Sequence, residues 1–328
     1  MGSWMNSVDI VPSDEASGKL TDYVEDAIEV YLSEGDAERS CEKLEAVLIL
    51  GLHDKNSETR GESELIYCLH PLHHLALNAY MTLASAYKTR ACDLSVSHLE
   101  DELYYIQALE MSKTSAAYSL LLATASYYLF CHESSIIASV ANFWVSAGES
   151  LLALSRNLTR GSVGKAILNV SDVPPILDYK CHRCSLLPDQ FGSSSVLCLG
   201  ENVNLDSVSG SLLNCIGLLS WEVWGVLIQG CDCLKMFETC INFGQLGKSS
   251  NFWDFQNYPT MQQKHACSSS EASVSSSGSV CCCDLEMERI FQLGVHCLHF
   301  GRFLANICYG QCSGGDNRFV TISQIEGC

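Results

Sequence analysis

KTSAAYSLLLATASYYLFC, residues 113–131, runs directly into HESSIIASVANFWVSAGESLLALSR, residues 132–156. No charge falls between Thr114 and Cys131, and Leu120, Leu121, Leu122, Tyr127, Tyr128, Leu129 and Phe130 point to every side of a 3.6-residue helix. A helix that is apolar all round is either a central core helix or a membrane span. Here Thr114, Ser115, Tyr118, Ser119, Thr124 and Ser126 dilute the run, whereas a lipid-facing helix is richer in Leu, Ile and Val. The stretch therefore reads as a core helix. His132-Glu133-Ser134-Ser135 supplies a turn and an N-cap. A second helix follows, with Ile136, Ile137, Val140, Phe143, Trp144, Leu151 and Leu152 as its apolar positions. The expected object is a buried helical hairpin inside an all-α domain.

The same periodicity extends outward. A helix is expected from Lys19 to Ser33, with Leu20, Tyr23, Val24, Ala27, Ile28 and Tyr31 on one stripe. Glu34-Gly35-Asp36 turns the chain, and a second helix runs to Leu50 with Cys41, Leu44, Val47 and Leu48 inward and Gly51 closing it. The run YLSEGDAERSCEKLEAVL, residues 31–48, resembles the turn and second helix of a tetratricopeptide unit, with Ser40 as the small residue at the helix crossing. His70-Pro71 begins a similar unit with Pro71 at the first helical position, and LHHLALNAYMTLASAYK follows. The 34-residue period is not kept strictly, so the expected architecture is a degenerate, tetratricopeptide-like helical solenoid.

Further along, Ser97-His-Leu-Glu100 has the form of a capping box opening a helix with Leu99, Leu103, Ile106 and Leu109 on one side. The pattern weakens after Arg156, and Pro174-Pro175 marks a boundary. Ser220 is placed as the cap of WEVWGVLIQGCDCLKMF. Residues 247–278 are polar and Ser-rich, and a last helix from Asp284 to Tyr309 presents Ile290, Leu293, Cys297, Phe300, Leu304 and Ile307 to the core. The chain divides into a loose tail, 1–18; a tetratricopeptide-like domain, 19–157; a cysteine-rich segment with at least one helix, 158–246; a flexible insert, 247–283; and a C-terminal helix and tail, 284–328.

With 328 residues, 47% of them hydrophobic and 17% charged, the chain can bury a sizeable core. Its net charge is −19, and sixteen acidic against five basic residues up to Glu64 place −11 of it at the N-terminal end. Such a surface repels phosphate backbones, which argues against direct nucleic-acid binding and for a protein partner with a basic segment. The bland alternative is a solvated acidic face that aids solubility. No membrane partner is expected. Nineteen cysteines accompany an opening MGSWMNSVDI that has neither basic region nor apolar run, so the reading is reduced thiols in nucleus or cytoplasm. Gly2 invites myristoylation, but Asn6 stands where the motif needs Ser or Thr.

The sharpest chemical signal is Cys181-His182-Arg183-Cys184. Zinc takes four soft or borderline ligands in a tetrahedron, and two cysteines at this spacing hold one edge. The second pair is Cys231 with Cys233, or Cys198 with Cys215; the candidate metal set adopted from sequence is Cys181, Cys184, Cys231 and Cys233. Neither pair has a regular knuckle spacing, and unligated thiols in a cysteine-rich chain are the competing reading. His70, His73 and His74 cluster at a helix start, where capping and packing compete with metal binding; Cys281-Cys282-Cys283 ends the insert. There is no G-x-S-x-G, phosphate loop or dinucleotide fingerprint, and no catalytic residue is assigned.

Taken together, CEKLE after Gly35-Asp36, the His-Pro-led helix, MSKTSAAYSLLLATASYYLF with ESSIIASVANFWVSAGESLLAL, CHRCSL, VWGVLIQGC and HCLHFGRFLANICYG resemble the C-terminal helical half of plant SET-domain proteins of the SET-and-MYND type, from about residue 20 to 310. The resemblance implies a relation to protein-lysine methyltransferases. In that family the SET domain, upstream of the helical half, binds S-adenosylmethionine and transfers the methyl group. The SET and MYND motifs have no counterpart here, so no catalytic or cofactor residue carries across. The chain then keeps only the helical half, as a truncated product or short gene model, and needs no cofactor of its own, zinc aside. The implied role is a non-catalytic interaction module that flanks a substrate cleft; the alternative is part of an active methyltransferase whose SET domain lies upstream or on another chain.

Far-UV circular dichroism is expected to show a mostly helical protein, because the 3.6-residue pattern recurs in at least six segments. A strand content of about one fifth, the level of an average globular protein, would contradict this.

Overall fold

The computed structural model describes residues 14–53, 66–97, 102–162, 179–181, 183–184, 205–239, 242–246 and 282–309. The fold is all-α. Its helices are α1 (Asp14–Glu34), α2 (Ala37–Leu50), α3 (His74–Ser97), α4 (Glu102–Phe130), α5 (Ile137–Ser162), α6 (Leu205–Leu227), the single turn α7 (Asp232–Lys235) and α8 (Cys282–Tyr309). Among the described residues the only extended pairing is a two-residue antiparallel bridge, Leu52–His53 with Ile66–Tyr67. In space α1 packs on α2, α2 on α3, α3 on α4, α4 on α5, α5 on α8 and α8 on α6.

The hairpin of α4 and α5 forms as expected. Every residue from Ser115 to Ser126 is buried, so α4 has no solvated face over three turns. Its serine hydroxyls in this stretch are accommodated by hydrogen bonds, since an unpaired one is costly in the interior, whereas Thr124 Oγ1 is buried with no partner among the described residues. Ser115 Oγ donates to the Ala84 carbonyl of α3 at 2.7 Å, and Ser119 and Ser126 donate to carbonyls one turn back in their own helix. Cys131 and His132 form the turn, and the Glu133 carboxylate accepts from the Ser135 N–H to start the short 3-10 segment leading into α5.

The first helix pair also follows its sequence. Gly35 takes a φ of 71°, a left-handed conformation suited to glycine, and Asp36 caps α2 by accepting from the Arg39 N–H. Ser40 Oγ donates to the Ala27 carbonyl across the α1–α2 crossing at 2.8 Å, which requires a small side chain there. Cys41, Leu44, Val47 and Leu48 are buried.

Several boundaries differ from expectation: α1 already begins at Asp14, inside the expected tail, and α5 runs past Arg156 to Ser162. Helix α3 begins at His74, because Pro71 and Leu72 form a turn in which the His70 ring accepts from the Leu72 N–H; His73 then caps α3 by accepting from the Leu75 N–H. Ser97 closes α3 instead of opening the next helix, and α4 starts at Glu102. Ser220 lies deep inside α6, which begins at Leu205; the Ser- and Gly-rich LDSVSGSLLNCIGLL masks the helix in the sequence while still presenting Leu212, Leu213, Ile216 and Leu219 to the core. The remaining capping-box residues 98–100, Pro174-Pro175, Cys198, Cys281 and the Ser-rich run 247–278 lie outside the described residues.

Residues Ser134–Thr159 and Ser209–Leu227 are long and apolar enough to cross a membrane by length and composition, a test that core helices also meet. Both supply core: Val140, Ala141, Trp144, Ala147 and Leu151 from α5, and Leu212, Ile216, Leu219 and Val223 from α6.

Helix α5 packs most extensively against α8, and glycines set their separation. A Cβ on Gly148 would lie 2.7 Å from Leu298 Cγ and 2.8 Å from both the Gly294 carbonyl and the Leu298 nitrogen. On α8, a Cβ on Gly301 would lie 2.8 Å from the Ala141 carbonyl and the Val145 nitrogen. These are backbone atoms, which cannot rotate away. Edge-to-face rings of Tyr127 on α4, Trp144 on α5 and Phe300 on α8 seal the junction, with centroids 5.5–6.4 Å apart.

Gly148→Ala is expected to destabilise the fold by about 1–3 kcal/mol, despite alanine's better helix propensity, because the helices must separate. Gly225→Ala, on an exposed part of α6 where nothing lies within 4 Å, is expected to be neutral or to stabilise by up to about 1 kcal/mol. Urea unfolding of the two variants checks the opposite signs.

Candidate metal centre

The chain segment Tyr179–Cys184 reaches α6 and α8 through its side chains. The Tyr179 ring packs edge-on against Phe291 and His296 of α8, with centroids 5.8 and 5.9 Å apart. Arg183 and Arg289 both pair with Glu222 of α6, at 3.7 and 3.4 Å. These contacts bring Cys181 and Cys184 onto Cys215 of α6 and His296 of α8, and the four donor atoms lie within 4.8 Å of one another. Cys181, Cys215 and His296 are buried and Cys184 is half-buried.

Polarity at the cluster is set locally. His296 Nδ1 is 2.6 Å from the Gln292 carbonyl, one turn back, so it carries the proton and donates; Nε2 faces Cys184 Sγ at 3.4 Å. The Arg183 N–H donates to Cys181 Sγ at 3.4 Å. Burial opposes ionisation of Cys181, but the imidazole and the backbone N–H groups of Cys184 and Arg183 outweigh it and hold the thiol down at about 5. Cys184 is pushed the other way, by its hydrogen bond to Cys215 and by burial. For His296 burial disfavours the imidazolium, yet hydrogen bonds to Cys181 and Cys184 raise it to about 9. The arrangement concentrates negative charge on sulfur and aims an imidazole nitrogen at it. Chemically it is a three-thiol, one-imidazole donor set of the kind that zinc takes.

Of the four residues selected from sequence, the structure brings Cys181 and Cys184 into this cluster and leaves Cys231 and Cys233 out of it. Cys231 caps the single turn α7, and Cys233 sits within it, 3.3 Å from the Tyr118 hydroxyl. Both thiols are raised by burial, Cys233 to about 12, as expected of packing residues. Cys215 belonged to the alternative sequence pairing with Cys198; in space it stands with Cys181, Cys184 and His296. The C-x-x-C spacing pointed to half of the cluster. His296 was missed because it sits among apolar positions of α8; the available signal was a titratable ring, 0% exposed, on a core face. His70 and His73 act in the turn and cap before α3.

Comparison with known proteins bears on the whole chain. It is 31% identical over 309 residues to Protein SET DOMAIN GROUP 41 of Arabidopsis thaliana. This chain is a relative of a plant SET-domain protein. The alignment takes in 93% of the chain but 44% of the relative, so the chain spans less than half of that protein. No family model matches. No solved structure matches either.

A half-buried carboxylate, Glu45, sits near where Cys233 packs. Tyr87 and Tyr118 both donate to Glu45 Oε1, at 2.8 and 2.9 Å, joining α2, α3 and α4. Burial raises the Glu45 carboxyl above its ordinary value of 4.5, against the opposing pull of the two tyrosines and Arg90. The folded protein therefore keeps a proton that the unfolded chain has already lost, so this group's contribution to stability falls as pH rises from the ordinary glutamate value through the folded one. Glu45→Gln, which retains an oxygen acceptor, is expected to remove that fall. Urea midpoints measured on both proteins across the mildly acidic range check it; parallel curves would contradict it.

Proposed function

We propose that this chain is the helical, protein-binding half of a SET-domain lysine methyltransferase and carries no methyl-transfer machinery of its own. The observation that supports this most is the match of 93% of the chain to less than half of a SET DOMAIN GROUP protein. Methyl transfer needs a sulfonium carbon held in line with a neutral lysine amine in a dry channel. The sequence motifs that build such a channel in the resembled family have no counterpart in this chain.

A protein-binding role draws further support from the acidic side chains of the first two helices. Asp22, Glu25, Glu29, Asp36 and Glu42 are exposed on α1, α2 and the turn between them, over a tetratricopeptide-like pair whose inner face is apolar. A partner with a basic segment would be drawn to this surface, weakly and with strong dependence on salt. In that role the chain works in nucleus or cytoplasm, presenting a partner beside the catalytic domain that binds S-adenosylmethionine.

The purified chain is expected neither to bind S-adenosylmethionine in titration calorimetry nor to label core histones in a methyl-transfer assay. Micromolar cofactor binding, or methylation abolished by a point substitution in this chain, would overturn the reading in favour of an active methyltransferase subunit.

A further inference from the structure

We propose that Cys181, Cys184, Cys215 and His296 bind one zinc ion in a closed, structural Cys3His site that fixes the 179–184 segment to α6 and α8. This site is independent of the proposed function. It also differs from the ligand set suggested by sequence spacing.

Four observations converge on it. The donors are three sulfurs and one imidazole nitrogen, a set that structural zinc takes with four-coordinate geometry. Their mutual separations stay within 4.8 Å, while sulfurs around a tetrahedral zinc lie about 3.8 Å apart, so small side-chain movements close the shell. A span this short encloses a single ion and leaves no room for an iron–sulfur cluster, which cysteines hold around several atoms. The His296 ring already has the anchor that metal binding needs, since Nδ1–H donates to the Gln292 carbonyl and Nε2 faces Cys184 Sγ, where zinc would take the place of the Nε2 proton. Metal-bound histidines nearly always anchor their second nitrogen in this way.

The fourth observation is topological. The ligands come from three separate stretches of chain, and the described residues Tyr179–Cys181 and Arg183–Cys184 form no helix or strand. A short irregular segment holds its position poorly with a few surface ion pairs, which contribute little. One metal ion joining it to two core helices supplies the missing restraint. Binding Zn2+ releases the thiol protons and involves no oxidation, so the step needs no further reactant. Oxidation of Cys181 and Cys184 to a disulfide would compete, but would leave Cys215 and His296 facing an incomplete site.

Mass-spectrometric metal analysis of the chain purified without chelator is expected to find about one zinc per chain. Replacing zinc with Co2+ is expected to give the visible bands and near-ultraviolet charge transfer of a tetrahedral thiolate site. Cys215→Ser and His296→Ala are each expected to weaken zinc binding by about a hundredfold or more, and His296→Cys to retain the metal with a shifted cobalt spectrum. The Cys231→Ser/Cys233→Ser double variant is expected to keep the full equivalent. If the single variants fail to fold, the wild-type cobalt spectrum decides alone. Wild-type protein that takes up neither metal overturns the proposal. So does zinc retained at full affinity in Cys215→Ser and His296→Ala, or a metal-free protein in which alkylation shows Cys181 and Cys184 oxidised.

Discussion

Close approach of α5 and α8 is the constraint on which the rest of the structure depends. Gly148 and Gly301 let one helix backbone lie against the other, with no room for a Cβ at either position. At that distance Leu298, Leu151, Leu152 and Trp144 are all buried, and dispersion contacts accumulate along two long helices. Helix α8 lies almost at the end of the chain, yet it completes the core of the central hairpin. Pairing helices this far apart in sequence carries a loop-closure cost, which the burial along the α5–α8 contact offsets.

That contact also decides the chemistry. Gly294 sits against Leu152 and the Gly148 carbonyl, and His296 is two residues further along the same helix. Fixing α8 at its glycine face therefore fixes the opposite side of the helix, where the imidazole meets Cys215 and the C-x-x-C segment. The metal donors are thus held by core helices on one side and by a short irregular segment on the other. A closed site of that build stabilises architecture; it leaves no open ligand position for substrate, in contrast to catalytic zinc.

The two ends of the molecule carry different physics. Around α1 and α2 the surface is acidic and the few cations are engaged locally, Lys43 with Asp26 and Arg90 with Glu38. Around α6 and α8 the structure is apolar and thiol-rich. The proposed role would use both: an electrostatic surface to collect a partner, and a packed core to hold that surface in place.

The hairpin at 113–156, the α1–α2 turn at Gly35-Asp36, the crossing at Ser40 and the last helix were all legible in the sequence. Each depends on local periodicity or on backbone rules that act within a few residues. The start of α6 was not, because serine and glycine lower helix propensity and the compensation comes from tertiary burial of Leu212, Leu213 and Ile216 further along the helix. The metal centre was half legible. The spacing of Cys181 and Cys184 is a local fact, whereas Cys215 and His296 lie 31 and 112 residues beyond Cys184 and become neighbours only when α6 and α8 pack. Cys231 and Cys233 were the second pair adopted from the sequence, but in the fold Cys233 packs beside Tyr118 and neither joins the cluster. Which thiols meet was decided by helix packing, since sequence proximity constrains a ligand pair and only the tertiary fold can close a tetrahedron.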